Sequence, residues 1–194
     1  MKERISLVAK AHELIRARLR PGASAVDATV GNGHDTLFLL RQVAPRGRVY
    51  GFDIQRAALA SAAAKINESA LQACLTLIND SHARMLERIP KTDHGAIGAV
   101  MFNLGYLPGG DKAVTTRTDS TLAALSAASR LLGSGGIITI VAYPGHPGGA
   151  HETDRVGRWC KHLDCERFRV ERIDAKANDE AAPRLFAVTR KRSE

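Results

Sequence analysis

The stretch "SAVDATVGNGHDTLFLLRQVA", residues 24 to 44, constrains what this chain can fold into more than any other. A short apolar run, "SAVDAT" (24 to 29), breaks at a glycine turn and passes directly into an amphipathic run, "HDTLFLLRQVA" (34 to 44). Asp35 and Thr36 suit the first turn of a helix there. Gly31 and Gly33 sit at the centre of the turn, where missing side chains let a ligand approach the backbone at a helix N-terminus.

The same strand-then-helix order continues downstream. "RVYGFDI" (48 to 54), "LTLIND" (75 to 80), "GAIGAVMFNL" (95 to 104) and "GGIITIVAY" (135 to 143) read as strands. Between and after them, "QRAALASAAAKINES" (55 to 69), "ARMLERI", "TTRTDSTLAALSAASRLLG" (115 to 133, with Gly133 beyond its end) and "ETDRVGRWCKHL" (152 to 163) read as helices. Nearly continuous apolar strands alternating with helices imply an α/β fold with a mostly parallel sheet, covered by helices on both faces. "FRVERIDA" (168 to 175) and "PRLFAVTRK" (183 to 191) need only a hairpin-like connection, so they are expected to pair antiparallel. No repeat, low-complexity segment or linker interrupts the pattern, and residues 1 to 194 read as one domain.

At the N-terminus, residues 1 to 20 form an amphipathic helix in this reading. Ile5, Val8, His12, Ile15 and Leu19 lie on one face, and Pro21 and Gly22 end it. Charges interrupt the segment too often for a secretory signal, and no apolar run is long enough to cross a bilayer. The three cysteines, Cys74, Cys160 and Cys165, show no paired spacing, which fits a reducing cytoplasm. With 28 basic and 20 acidic residues the net charge is +8, which favours a polyanionic partner, nucleic acid first, or small anions.

Three strand ends carry polar groups suited to one ligand. Asp53, 22 residues after Gly31, ends the second strand where a carboxylate can accept both hydroxyls of a ribose. "NDSH" ends the third, where Asp80 can hold an adenine amino group. In an open α/β sheet such ends face one crevice, so a nucleoside-containing cofactor is expected. A dinucleotide loop would carry a third glycine where this chain has Thr36.

With Asp27 four positions before Gly31, the loop resembles motif I of class I S-adenosylmethionine-dependent methyltransferases, Thr29 replacing the first glycine of the usual form. That class has a Rossmann-like, mostly parallel seven-stranded sheet with an antiparallel last strand. Read in order, "VDATVGNGHDTLFL", "VYGFDIQ", "NDSH", "FNLGYLPGGDK" and "GGIITIVAYPGHPGG", followed by a Glu and a final "N…P", resemble the small bacterial family labelled "putative rRNA methylase" over about residues 20 to 190. The resemblance implies S-adenosyl-L-methionine as cofactor. It also implies a tRNA acceptor, since characterised members methylate the 5-aminomethyl group of a wobble uridine, giving the 5-methylaminomethyl-2-thiouridine product.

It places cofactor contacts at Asp27, Thr29, Gly31, Asn32, Gly33, His34 and Asp35 in the first loop. Further contacts fall at Asp53, Ile54 and Gln55, at Asp80, Ser81 and His82, and at Asn103. "FNLGYLP" stands where amino-group methyltransferases carry Asn/Asp-Pro-Pro-Tyr, with Leu104 and Gly105 in place of the prolines. Asn103 is then expected to orient the amine, Tyr106 to line the base pocket, and His146 to suit proton transfer. Acceptor contacts extend to Leu104, Gly105, Pro108, Gly109, Gly110 and Lys112, and to Tyr143, Gly148, Gly149 and Glu152. "GGDK" can cradle a phosphate through its backbone amides, with Lys112 adding charge.

The His and Cys residues form no metal-ligand spacing, and neither a metal nor a covalent intermediate is expected. The partner in this reading is a tRNA anticodon loop, which a homodimer would grip over a larger surface. The alternatives are an rRNA or small-amine acceptor, a nicotinamide-dependent oxidoreductase using the same crevice, and a non-catalytic RNA-binding protein.

Overall fold

The computed structural model describes residues 6–105, 115–176 and 179–192. Strands β1 (Ser24–Asp27), β2 (Arg48–Asp53), β3 (Leu75–Asn79), β4 (Ile97–Asn103), β5 (Leu132–Ala142), β6 (Phe168–Asp174) and β7 (Arg184–Arg190) form one sheet in the order β3-β2-β1-β4-β5-β7-β6. Strands β1 to β5 are parallel, and β7 runs antiparallel to both β5 and β6, inserted between them as the hairpin reading requires. The strand order reverses between β1 and β4, which opens a crevice above their C-terminal ends. Register brings the polar strand ends to that edge: Asp53 pairs with Asn79, and Asp27 with Met101, two residues before Asn103.

Side-chain alternation along the strands explains why both faces are covered. On β4, Val100 and Phe102 point into one core with Tyr50, Phe52, Ile138 and Ile140, while Ala99 and Met101 point into the other with Val49, Ile137 and Val141. Helices α5 (Met85–Arg88), α6 (Thr118–Leu131) and α7 (Gly149–Lys161) close the first core through Met85, Leu125, Leu131 and Val156. Helices α1 (Leu7–Arg16) and α2 (His34–Val43) close the second through Leu7, Ile15, Leu39 and Leu40. Helix α3 (Arg56–Lys65) flanks β2 and β3.

Four local expectations are revised. Helix α1 ends at Arg16, well before Pro21, and buries Leu7, Ala11 and Ile15. Of the expected stripe, Ile15 and Leu19 are buried, Val8 packs at the edge of the same core and also lines the crevice, and Ile5 lies outside the described residues. The helix expected over 55 to 69 stops at Lys65, where fully buried Ile66 draws the chain inward, and a separate turn, α4, follows at Ser69–Gln72. Gly133 does not cap α6; it already lies within β5. Helix α7 starts at Gly149 instead of 152, with Gly148 in the left-handed conformation (φ 82°) as its N-cap. Among the described residues, no helix is long and apolar enough to cross a membrane.

Candidate active site

The crevice above β1 to β4 encloses about 1170 Å³, of the order of a pocket for a large small-molecule ligand. Its first wall is the turn after β1. Gly33 has φ 74° and caps α2, and a Cβ placed there would come within 2.7 Å of the Ala62 side chain. Gly33 therefore lets α2 start against α3 and sits behind the crevice wall, whereas Thr29, Gly31, Asn32, His34 and Asp35 lie on it. Asp27 also lies behind the wall, fully buried, and holds the turn from beneath. Its carboxylate accepts from the Thr29 amide (3.0 Å) and from the Thr36 hydroxyl (2.6 Å). Thr36, in the position of a third glycine, thus serves as an anchor for that acid.

Thr29 has a second task that a glycine could not perform. Its hydroxyl accepts from the Asn103 backbone N–H at 2.8 Å, tying the end of β4 to the turn after β1. Asp53 braces the turn from the other side: Oδ2 accepts from the Gly31 amide (2.9 Å) and Oδ1 from the Gln55 amide (2.8 Å). Ile54 beside it stands 60% exposed at the crevice edge and offers an apolar face there. Asp80 accepts from the Ser81 amide, Arg84 and Arg88. The Arg88 hydrogen bond, first among several causes, holds its carboxyl below the usual range. Burial pushes the His82 pKa down, and its Nδ1 donates to the Ala28 carbonyl at 3.0 Å, so the neutral ring keeps Nε2 as an acceptor.

On the acceptor side the crevice is lined by Asn103, Leu104, Gly105, Tyr143 and His146. The Asn103 side chain makes no hydrogen bond among the described residues, and His146 Nδ1 donates to the Pro147 carbonyl at 3.0 Å. Burial, and then the negative charge of Asp35, raise the Tyr143 pKa. Gly148, Gly149 and Glu152 lie in or next to the first turn of α7 and do not line the crevice. A Cβ on Gly149 would meet the Tyr143 carbonyl at 2.3 Å and the His146 ring at 2.8 Å. Glycine is needed there to press α7 against the loop that carries His146. Glu152 is buried, with its carboxylate bonded to two threonines. Tyr106, Pro108, Gly109, Gly110 and Lys112 lie outside the described residues.

Several lining residues escaped the sequence reading. Val8 of α1 reaches the crevice, and His12 on the same helix bonds Asp35 at 2.7 Å while stacking on Phe38 at 3.8 Å. Thr116, Arg117 and Ser120 line the opposite side, and Ala181 and Pro183 bring in the β6–β7 connection. The signal for His12 was present: a polar ring on an otherwise apolar stripe wants a buried partner.

Asp27 makes the turn sensitive to pH. Burial, then the neighbouring Asp35 carboxylate, raise its pKa from 3.8 to about 7, against the hydrogen bonds from Thr36 and Thr29. The folded chain therefore binds this proton more tightly than the unfolded chain. Asp27's contribution to stability is fullest below its unfolded value near 3.8, falls as pH rises toward about 7, and stays level above. Denaturant unfolding of wild type and Asp27→Asn at several pH values checks this. Wild type is expected to lose stability relative to the variant between those two values; parallel curves would show an ordinary carboxyl.

A family model described as "Putative rRNA methylase" matches residues 49–189. A protein of Arabidopsis thaliana named tRNA (mnm(5)s(2)U34)-methyltransferase, chloroplastic, is 41% identical over 154 residues, covering 75% of this chain and 56% of that protein. The match thus spans little more than half of that curated relative. The crystal structure of a putative rRNA-methylase from Clostridium thermocellum is 40% identical, with a TM-score of 0.89 over 96% of this chain and 98% of that one. A putative methyltransferase from Streptococcus mutans, solved in complex with SAH, is 30% identical, with a TM-score of 0.84 over 96% and 98% of the two chains. Seven strands in this order, a braced glycine turn with an acid ending the second strand, and likeness over nearly the whole chain converge. The chain belongs to the "Putative rRNA methylase" family and has the class I methyltransferase fold.

Proposed function

We propose that this protein is an S-adenosylmethionine-dependent tRNA methyltransferase that N-methylates the 5-aminomethyl group of a wobble uridine, 2-thiolated or not, to 5-methylaminomethyl. The observation that carries the reading is the placement of Asn103 in one crevice with Asp53 and the Gly31 turn. A donor held by the turn and an amine held at β4 then meet across a single cavity. The tRNA acceptor is supported by the name of the Arabidopsis relative and by the net charge of +8.

The crevice fits the cofactor on its donor set. Asp35, Asp53 and Asp80 bring three carboxylates to its wall, acceptors for hydroxyl, ammonium and amino groups and suited to a cation. Ile54 supplies an exposed apolar face for a flat ring. The cofactor, when bound, supplies an activated methyl group on a sulfonium, so positioning dominates the protein's contribution. Asn103 offers an amide oxygen to the amine N–H and aims its lone pair. His146 lines the same crevice from the loop after β5 and is the residue we assign to take up the amine proton. A splayed wobble base loses its stacking in the anticodon loop, and basic contacts to loop phosphates offset that loss.

Incubating the purified protein with methyl-labelled cofactor and, separately, tRNA bearing 5-aminomethyl-uridine, rRNA and small amines tests the assignment. Label is expected in the tRNA at the modified uridine. Label in rRNA or in small amines alone would overturn the acceptor, and binding of NAD without S-adenosylmethionine would overturn the enzyme class.

A further inference from the structure

Glu152 is only 3% exposed and does not line the crevice, yet its carboxylate is bonded to Thr116, which does. Oε2 accepts from the Thr116 hydroxyl at 2.7 Å and Oε1 from the Thr121 hydroxyl at 2.7 Å. Thr116 Oγ1 in turn accepts from the Gly105 amide at 3.0 Å, and the Thr116 amide donates to the Gly105 carbonyl at 2.9 Å. Gly105 and Thr116 flank the segment that contains "YLPGGDK". The carboxylate therefore sits at the base of a clasp that joins the two residues on either side of that segment.

The clasp also joins two loops. Glu152 belongs to the first turn of α7, and its amide donates to the Gly148 carbonyl at 2.9 Å. That turn is pressed onto Tyr143 and His146 at Gly149. Gly105 is itself against the His146 ring, 3.8 Å from Nε2 to the position a Cβ would occupy. One buried acid thus fixes the exit of β4, with Asn103 and Leu104, relative to the loop after β5.

We infer that Glu152 is a positioning residue for the acceptor, acting through Thr116 and Gly105 without touching substrate or cofactor. The inference rests on the reading that Asn103, at the end of β4, aims the amine. Each threonine hydroxyl donates to one oxygen of the Glu152 carboxylate, and Thr116 Oγ1 at the same time accepts from the Gly105 amide. Glutamine has the same size but presents an NH2 to one hydroxyl, which must turn its proton away to accept it, so two charge-assisted bonds become neutral ones and the clasp is weakened. Cofactor contacts through Asp53 and Gly31 lie on the other side of the crevice and are left alone.

Glu152→Gln, Thr116→Val and Thr116→Ser are compared with wild type in two measurements. In hydrogen exchange of the protein without ligands, the Gly105 and Thr116 amides are expected to exchange faster in Glu152→Gln and Thr116→Val, with Thr116→Ser close to wild type. In methyl transfer, the first two variants are expected to lose about 10- to 100-fold in kcat/KM for the tRNA acceptor. Cofactor Kd should stay within about 3-fold, since the donor contacts are untouched. Unchanged exchange at Gly105 and Thr116 overturns the clasp. Faster exchange with unchanged acceptor kinetics, or an equal loss of cofactor affinity, overturns the positioning role. If the wild type leaves tRNA unmethylated, the functional reading fails, whereas the exchange measurement still decides the clasp. Should Glu152→Gln fail to fold, the Thr116 pair carries the same comparison.

Discussion

Replacing Asp53 with alanine is expected to weaken S-adenosylmethionine binding by about 100- to 1000-fold, the largest effect of any single change in the crevice. Asp53 does two things at once. It accepts from the Gly31 and Gln55 amides, through opposite oxygens, and so sets the turn after β1 against the start of α3. Each oxygen retains a second lone pair, and Asp53 lines the crevice, where a ribose hydroxyl is an apt donor. Alanine removes those acceptors and strands the Gly31 amide. Asparagine keeps one acceptor and turns an NH2 toward one of the two amides, so Asp53→Asn is expected to fall between wild type and Asp53→Ala. Titration calorimetry measures the loss, and a circular dichroism melt separates it from unfolding. Affinity within a few-fold of wild type in Asp53→Ala would mean that Asp53 only holds the turn.

Asn103→Ala is expected to lower kcat by about 100- to 1000-fold while cofactor affinity stays within about 3-fold. The backbone at this position is fixed by Thr29, whose hydroxyl accepts from the Asn103 amide, so truncating the side chain leaves the strand end in place. What is lost is the amide that aims the amine. Single-turnover kinetics at saturating cofactor isolates that step. A rise in acceptor KM with unchanged kcat would instead make Asn103 a binding residue that contributes equally to ground and transition states.

These two residues stand where the sequence pattern pointed because parallel α/β sheets leave a clear trace. Apolar runs mark the strands, and the residues that end them reach the same edge by register, as Asp53 beside Asn79 does. The glycine turn was legible for the same local reason, although Asp27 and Gly33 proved to support it from behind. The α7 boundary was not legible. "PGHPGGAHE" is rich in turn formers, yet Gly148 serves as an N-cap and Gly149 as a close-packing position, so the helix starts three residues earlier than expected. Nothing local marks the bond between Glu152 and Thr116, 36 residues apart, and although the apolar stripe signals that His12 has a partner, nothing local points to Asp35, 23 residues away. Both depend on the tertiary approach of helices, which composition and periodicity do not encode. A glutamate among glycines in a polar loop looks like a substrate contact; the structure instead buries it against two threonines, which local sequence does not signal.

The measurement that tests the central claim most directly is mass spectrometry of tRNA nucleosides from cells that lack this protein, with and without a plasmid copy. Accumulation of the 5-aminomethyl-uridine nucleosides, loss of the 5-methylaminomethyl forms, and reversal by wild type but not by Asn103→Ala is the predicted result. Unchanged 5-methylaminomethyl-uridine in those cells, with a methyl group missing from rRNA instead, would contradict it.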